Sequence, residues 1–132
     1  MGTLLKADFR LPPQDLESIE QAARDYIEGW YAADSERLRR CLHPDLAKRT
    51  VVYNSEQRSS SLRQVDVAKL INSTAGTQIP PESRIHEITI LDTFRNIASV
   101  KVVSFPFVDY LNVARFDQRW LIVNVIWESR EG

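Results

Sequence analysis

A chain of 132 residues, 43% hydrophobic and 27% charged, has the size and composition of one soluble domain with a real core. Seventeen basic against eighteen acidic side chains leave a net charge of −1, which argues against a dedicated nucleic-acid binder with a basic face. One cysteine, four glycines and two separated histidines exclude a disulfide framework, a thiolate zinc cluster, a P-loop, a dinucleotide-binding glycine fingerprint and an HExxH helix.

No apolar run reaches membrane-spanning length, and Met1 to Arg10 lacks a signal-type apolar core. The expectation is a cytoplasmic protein that uses no cofactor, no metal, no nucleic acid and no membrane.

Residues 1–13 read as an N-terminal arm closed by Pro12-Pro13, and residues 14–132 as a single domain. Leu16, Ile19, Ala23, Tyr26, Ile27 and Trp30 recur at spacings of three and four, which predicts a first helix with one apolar stripe. Gly29 interrupts it at a cost of roughly 1 kcal/mol against alanine, so a close neighbour is expected there. Asp34 or Ser35 caps a short second helix with Leu38, Cys41 and Leu42 inward, ending near His43-Pro44. A strand follows over 47–53. Ser61-Leu62-Arg63-Gln64 has the spelling of a capping box, which predicts a third helix over 62–73 with Gly76 as its stop.

From Arg84 the pattern changes to Val, Ile and aromatics. Strands are predicted over 85–91, 98–104, 108–116 and 120–127, with Pro106 forcing a bulge or connection. The order is α+β, with helices on one face of an antiparallel sheet. In the last strand Trp120, Ile122, Asn124 and Ile126 share one face and Leu121, Val123, Val125 and Trp127 the other. Neither is polar, which predicts that a second copy of the chain covers the outer face as a homodimer, burying Leu121, Val123, Val125 or their neighbours between the chains.

This order of elements resembles the nuclear transport factor 2-like superfamily, the cystatin-like cone fold, and within it the putative lumazine-binding family. The resemblance spans residues 15–128. Its marks are Ile27-Glu28-Gly29-Trp30-Tyr31, His43-Pro44-Asp45, Ala98-Ser99-Val100-Lys101-Val102, Asp109-Tyr110-Leu111 and Arg119-Trp120-Leu121-Ile122-Val123-Asn124. It implies a curved sheet wrapped against three helices around an apolar cavity, and a homodimer through the outer sheet face. The superfamily holds steroid isomerases, dehydratases, epoxide hydrolases and polyketide cyclases beside non-catalytic binding modules, so fold alone gives no activity.

Isomerases of this superfamily place a tyrosine eight residues before the aspartate that opens the second helix, and Tyr26 stands at that interval before Asp34. Their aspartate base has no counterpart in the window 48–53, and their second acid falls on or near Asn112. Proton abstraction by that scheme is therefore not expected.

The residues expected around the cavity are Tyr26, Trp30, Tyr53, Tyr110 and Asn112, with the set Tyr110, Asn112, Ala114 and Phe116 facing inward by the isomerase count and Asp109 facing the dimer side. Tyr26→Phe is expected to weaken a polar ligand by about 1 kcal/mol and leave folding nearly intact. Arg37, Arg39, Arg40, Lys48 and Arg49 read as a solvated face. Cys41 reads as core, His86 as structural, and His43 as a helix-end cap or a base at the cavity mouth.

Three functions stay open. The first is a homodimeric protein that binds a small apolar or aromatic molecule. The second is an isomerase, dehydratase or hydrolase acting on a small apolar or cyclic substrate through Tyr26 with Asp109 or His43. The third is an interaction module whose cavity is filled by its own side chains.

Overall fold

Pro13 opens the first helix, α1 (Pro13–Ala32), at the one position where a fixed φ and a missing N–H cost nothing. The structure is a computed structural model, and it describes residues 11–131; all but the last three residues of the expected arm lie outside the described residues. The predicted stripe faces inward at Ile19, Ala23, Tyr26, Ile27 and Trp30, all buried, while Leu16 stays at the surface. Ala33 turns left-handed at φ 51° to end the helix. Asp34 then caps α2 (Ser35–Cys41), its carboxylate accepting from the Arg37 N–H at 3.1 Å. Gly29 has the expected close neighbour: a β-carbon there would sit 3.2 Å from the Leu38 side chain, so the glycine lets α1 and α2 approach.

The third helix differs from expectation. Residues 59–65 form a strand, β2 (Ser59–Val65), hairpinned to β1 (Leu42–Asn54). Ser61 pairs with Val52 and Gln64 with Arg49, so the capping-box spelling sits in an extended segment. A box needs helical residues after it, and Ser59-Ser60-Ser61 are weak helix formers beside a long strand that satisfies their backbone. The true cap is Asp66, which accepts from the Lys69 N–H at 2.8 Å and starts the short α3 (Val67–Ile71). A 3₁₀ helix, Ala75–Gln78, follows.

It packs against the end of α1 through Gly76. A β-carbon at Gly76 would overlap the Trp30 carbonyl oxygen and come within 2.7 Å of Tyr31 Cα. Backbone cannot yield as a side-chain tip can. Gly76→Ala is therefore expected to cost about 1–3 kcal/mol, the usual range for overpacking, read as a lower urea midpoint. An unchanged midpoint would mean the contact is looser than this.

Four more strands complete the sheet: β3 (His86–Phe94), β4 (Ile97–Ser104), β5 (Phe107–Phe116) and β6 (Arg119–Ser129). The order is β2-β1-β6-β5-β4-β3. Every neighbouring pair is antiparallel except β1 with β6, which run parallel. The architecture is the expected α+β one, a single unclosed sheet with its inner face against α1. Leu111, Val113, Val100, Val102, Ile122 and Val125 meet Ile19 and Leu38 in the core.

The apolar content of both parity sets of β6 has a local cause. Asn112 pairs with Asn124 but Val113 pairs with Ile122, so Val123 is an extra residue, a β-bulge that reverses the alternation. Ile122 and Val125 belong to opposite parity sets yet share one core. Val125 is therefore not available to an interface, contrary to the sequence expectation. Strand β5 has the opposite facing to that expected. Asp109, Leu111 and Val113 are buried inward, and Tyr110 and Asn112 look outward. A count from a distant turn tolerates no error, because one residue of slip changes the face.

Candidate functional site

The inner face of the sheet carries two charged groups where the pattern would put apolar ones. β1 sends in Lys48, two residues after the buried Leu46; β5 sends in Asp109, two residues before the buried Leu111. Strand β6 lies between them, with Val125 opposite Lys48 and Trp127 opposite Asp109. Tyr26 comes down from α1 onto both. Its hydroxyl donates to Asp109 Oδ2 at 2.7 Å and accepts from Lys48 Nζ at 2.6 Å. Lys48 Nζ is also 3.9 Å from Asp109 Oδ2 and 5.0 Å from the centroid of the Trp127 ring.

All three side chains are buried, Lys48 at 7% exposure. Burial pushes the Asp109 carboxyl above its ordinary range, against the pull of the Lys48 charge and the Tyr26 hydrogen bond. Burial lowers Lys48, and Asp109 opposes that. Burial and then the Asp109 charge hold the Tyr26 phenol well above its usual value. The triad is thus a lysine and a carboxyl, each driven toward neutrality by burial and toward charge by the other. Tyr26, fixed as a neutral hydroxyl, bridges them and can pass a proton between them.

The triad borders a cavity of about 690 Å³. Trp30, Leu70, Phe107 and Trp127 supply its apolar walls, and Lys48 and Thr50 its inner polar edge. Its rim holds Arg63, Lys69, Glu128 and Glu131. Tyr26 and Asp109 do not line it; they stand behind Lys48. A ligand in the cavity therefore meets the triad through Lys48 Nζ.

The residues proposed from sequence divide clearly. Trp30 lines the cavity, and Tyr26 lies one shell behind it. Asp109 joins Tyr26 rather than facing outward. Tyr53 sits on the β1–β2 hairpin, 62% exposed, away from the cavity walls. Tyr110 and Asn112 lie on the opposite side of the sheet from Tyr26, where Asn112 donates to Ser99 Oγ at 3.1 Å and accepts from Asn124 at 2.9 Å. His43 accepts from the Asp45 N–H at 3.0 Å and stacks 4.8 Å from Phe116, at the other end of β5 from Asp109. It neither caps α2 nor approaches the triad.

Lys48, expected on a solvated face, is buried instead. Arg37 belongs to a helix–helix network, donating to the buried Asp25 at 2.8 Å. His86 Nε2 stands 3.4 Å from Glu28. Among the described residues, no cluster of three His, Cys, Asp or Glu side chains is arranged to hold a metal, and no helix is long and apolar enough to cross a membrane.

A sequence model of the family described as "Putative lumazine-binding" matches residues 14–128. The chain belongs to that family. Solved structures agree on the fold of this chain. An NTF2-like protein of unknown function from Methylobacillus flagellatus is 17% identical, with a TM-score of 0.68 over 92% of this chain and 96% of that one. Another from Silicibacter pomeroyi is 15% identical, with a TM-score of 0.67 over 89% and 97%. A cystatin-like fold protein from Burkholderia xenovorans is 14% identical, with a TM-score of 0.60 over 89% and 92%. At these identities the likeness is one of fold. A search of curated proteins gave no match.

Proposed function

We propose that this protein binds a small, flat, mostly apolar molecule in the cavity bordered by Trp30, Phe107 and Trp127, with an oxygen of the ligand accepting from Lys48 Nζ. The observation that carries this reading is a buried lysine, held by Tyr26 and Asp109, at the inner edge of an aromatic-walled cavity. Apolar walls with one or two convergent polar groups are the usual anatomy of small-molecule sites. Lumazine, the molecule in the family's description, is a flat heteroaromatic dione, more polar than the cavity walls, whose carbonyl oxygen would accept from Lys48 Nζ while its ring stacks on the aromatic walls.

Two experiments test the reading. Native mass spectrometry of freshly purified protein should show a retained small molecule. Titration with lumazine should quench tryptophan fluorescence saturably, because Trp30 and Trp127 line the site. A protein that retains nothing and shows no saturable quenching would contradict the reading.

An enzymatic alternative draws on the 2.7 Å bond between Tyr26 and Asp109, which resembles an acid–hydroxyl pair. That hydroxyl already donates to Asp109, and neither group lines the cavity. The binding reading is therefore preferred.

The protein is also proposed to form a homodimer through the outer sheet face. Phe94, Ile97, Tyr110 and Ile126 stay exposed there, which supports a self-complementary contact. Ile126→Lys would place two charges near a two-fold axis. Sedimentation velocity should show a dimer for the native chain and a monomer for the variant; a native monomer at micromolar concentration would contradict the proposal.

A further inference from the structure

We propose that Lys48 is a reactive amine that captures an aldehyde of flat aromatic character as an iminium within the cavity. This rests on the binding reading above and goes beyond it, since hydrogen bonding alone would need no covalent step. The geometry supplies the parts. Lys48 is the member of the triad that lines the cavity. Its Nζ donates to Tyr26, whose own proton is directed at Asp109. A proton can therefore leave the ammonium for Asp109 through the Tyr26 hydroxyl, which takes one proton as it gives another.

Burial favours this transfer at both ends, since it lowers Lys48 and raises Asp109. A desolvated lysine beside a fixed proton carrier is the arrangement by which an amine becomes nucleophilic near neutral pH.

The step balances. Neutral Nζ forms a bond to the carbonyl carbon, and the carbonyl π electrons move to oxygen. One proton passes from that nitrogen to the oxygen bound to the same carbon, giving the carbinolamine. Asp109 returns its proton through Tyr26 to the nitrogen, the nitrogen relays it to the hydroxyl, and the freed nitrogen lone pair expels water. Aldehyde and lysine ammonium have become iminium and water. The positive charge stays on the same nitrogen beside a carboxylate again, so the buried ion pair is regenerated. Trp127, whose ring lies 5.0 Å from Nζ, and Trp30 would flank the aromatic part.

The test uses the native full-length protein with 2-naphthaldehyde and sodium cyanoborohydride near neutral pH, followed by peptide mapping. Hydride reduction fixes any iminium as a secondary amine. The other lysines, Lys6, Lys69 and Lys101, serve as internal references. The expected result is an adduct formed preferentially on Lys48 over each of these, because burial lowers this lysine and so raises its neutral fraction. The corresponding alcohol, 2-naphthylmethanol, should suppress it.

Quenching of tryptophan fluorescence by that alcohol is measured in parallel. Quenching without preferential Lys48 labelling would overturn this inference and leave the binding reading standing. No quenching and no Lys48 adduct would overturn both. Labelling of Lys48 that the alcohol does not suppress would also overturn it, because the amine would then react without the cavity.

Discussion

Asp109→Ala is expected to destabilise the fold by about 3–5 kcal/mol, the cost of leaving a buried charge without its partner. Lys48 would keep its place under Trp127 and Tyr26 with no carboxylate within reach. The contrast that isolates this cause is a triple change, Tyr26→Phe, Lys48→Met and Asp109→Leu, which replaces all three polar groups by apolar ones. Apolar replacement of a complete buried ion pair is often neutral or stabilising, so the triple variant should lie within about 1 kcal/mol of the native chain or above it. Urea unfolding reads both. A triple variant as weak as Asp109→Ala would show that shape, not charge, holds this region.

The same triad sets a pH dependence whose sign can be worked out. Asp109 is raised by burial, so the folded chain keeps a proton that the unfolded chain has lost. Its contribution is present below the ordinary aspartate value, about 3.9, and is lost as pH rises through the raised folded value. Lys48 is lowered by burial. Its contribution is present above the ordinary lysine value, about 10.4, and is lost as pH falls through the lowered folded value. Both groups therefore contribute least between those limits. The difference in stability between native and triple variant should be most unfavourable to the native chain in the middle of the range. A difference independent of pH would mean that neither group is shifted.

Tyr26→Phe comes second, at about 1.5–3 kcal/mol, the range for hydrogen bonds to charged groups. One oxygen serves both partners, accepting from Lys48 and donating to Asp109. The sequence suggested a mild effect, because a tyrosine with a cavity-facing hydroxyl would lose only a ligand contact. Here the hydroxyl is buried and doubly engaged, so stability falls as well. A lowered urea midpoint with an unchanged slope is the expected signature; a midpoint equal to the native one would contradict the doubly bonded hydroxyl.

What could be read from the residues was what depends on local periodicity. The stripe Ile19–Tyr26–Trp30 put α1 against the sheet, and the Val- and Ile-rich segments gave β3 to β6 nearly at their observed limits. The parallel step from β1 to β6 left no trace in local spacing, because strand order is a matter of long-range pairing. The hairpin over residues 42–65 was hidden by a four-residue capping signature that tertiary pairing overrode. The site suffered most from facing. Asp109 was legible as a charge in the set Asp109, Leu111, Val113 and Arg115, beside two apolar residues that mark the buried face. Lys48 was legible in the same way beside Leu46. The isomerase count turns Asp109 outward, and the interspersed acids and near-zero net charge make the group Arg37, Arg39, Arg40, Lys48 and Arg49 read as one solvated face, which hides the inward turn of Lys48.

In the proposed complex Lys48 is the point where ligand and protein meet. The direct measurement is the affinity for lumazine, by isothermal titration calorimetry, of the native chain and of the apolar triple variant, which is expected to fold. The walls formed by Trp30, Phe107 and Trp127 are the same in both, and only the polar edge differs. Loss of one hydrogen bond from a charged donor should weaken binding by roughly 10- to 100-fold. Equal affinity in the two proteins would contradict the account, because it would place the ligand away from Lys48.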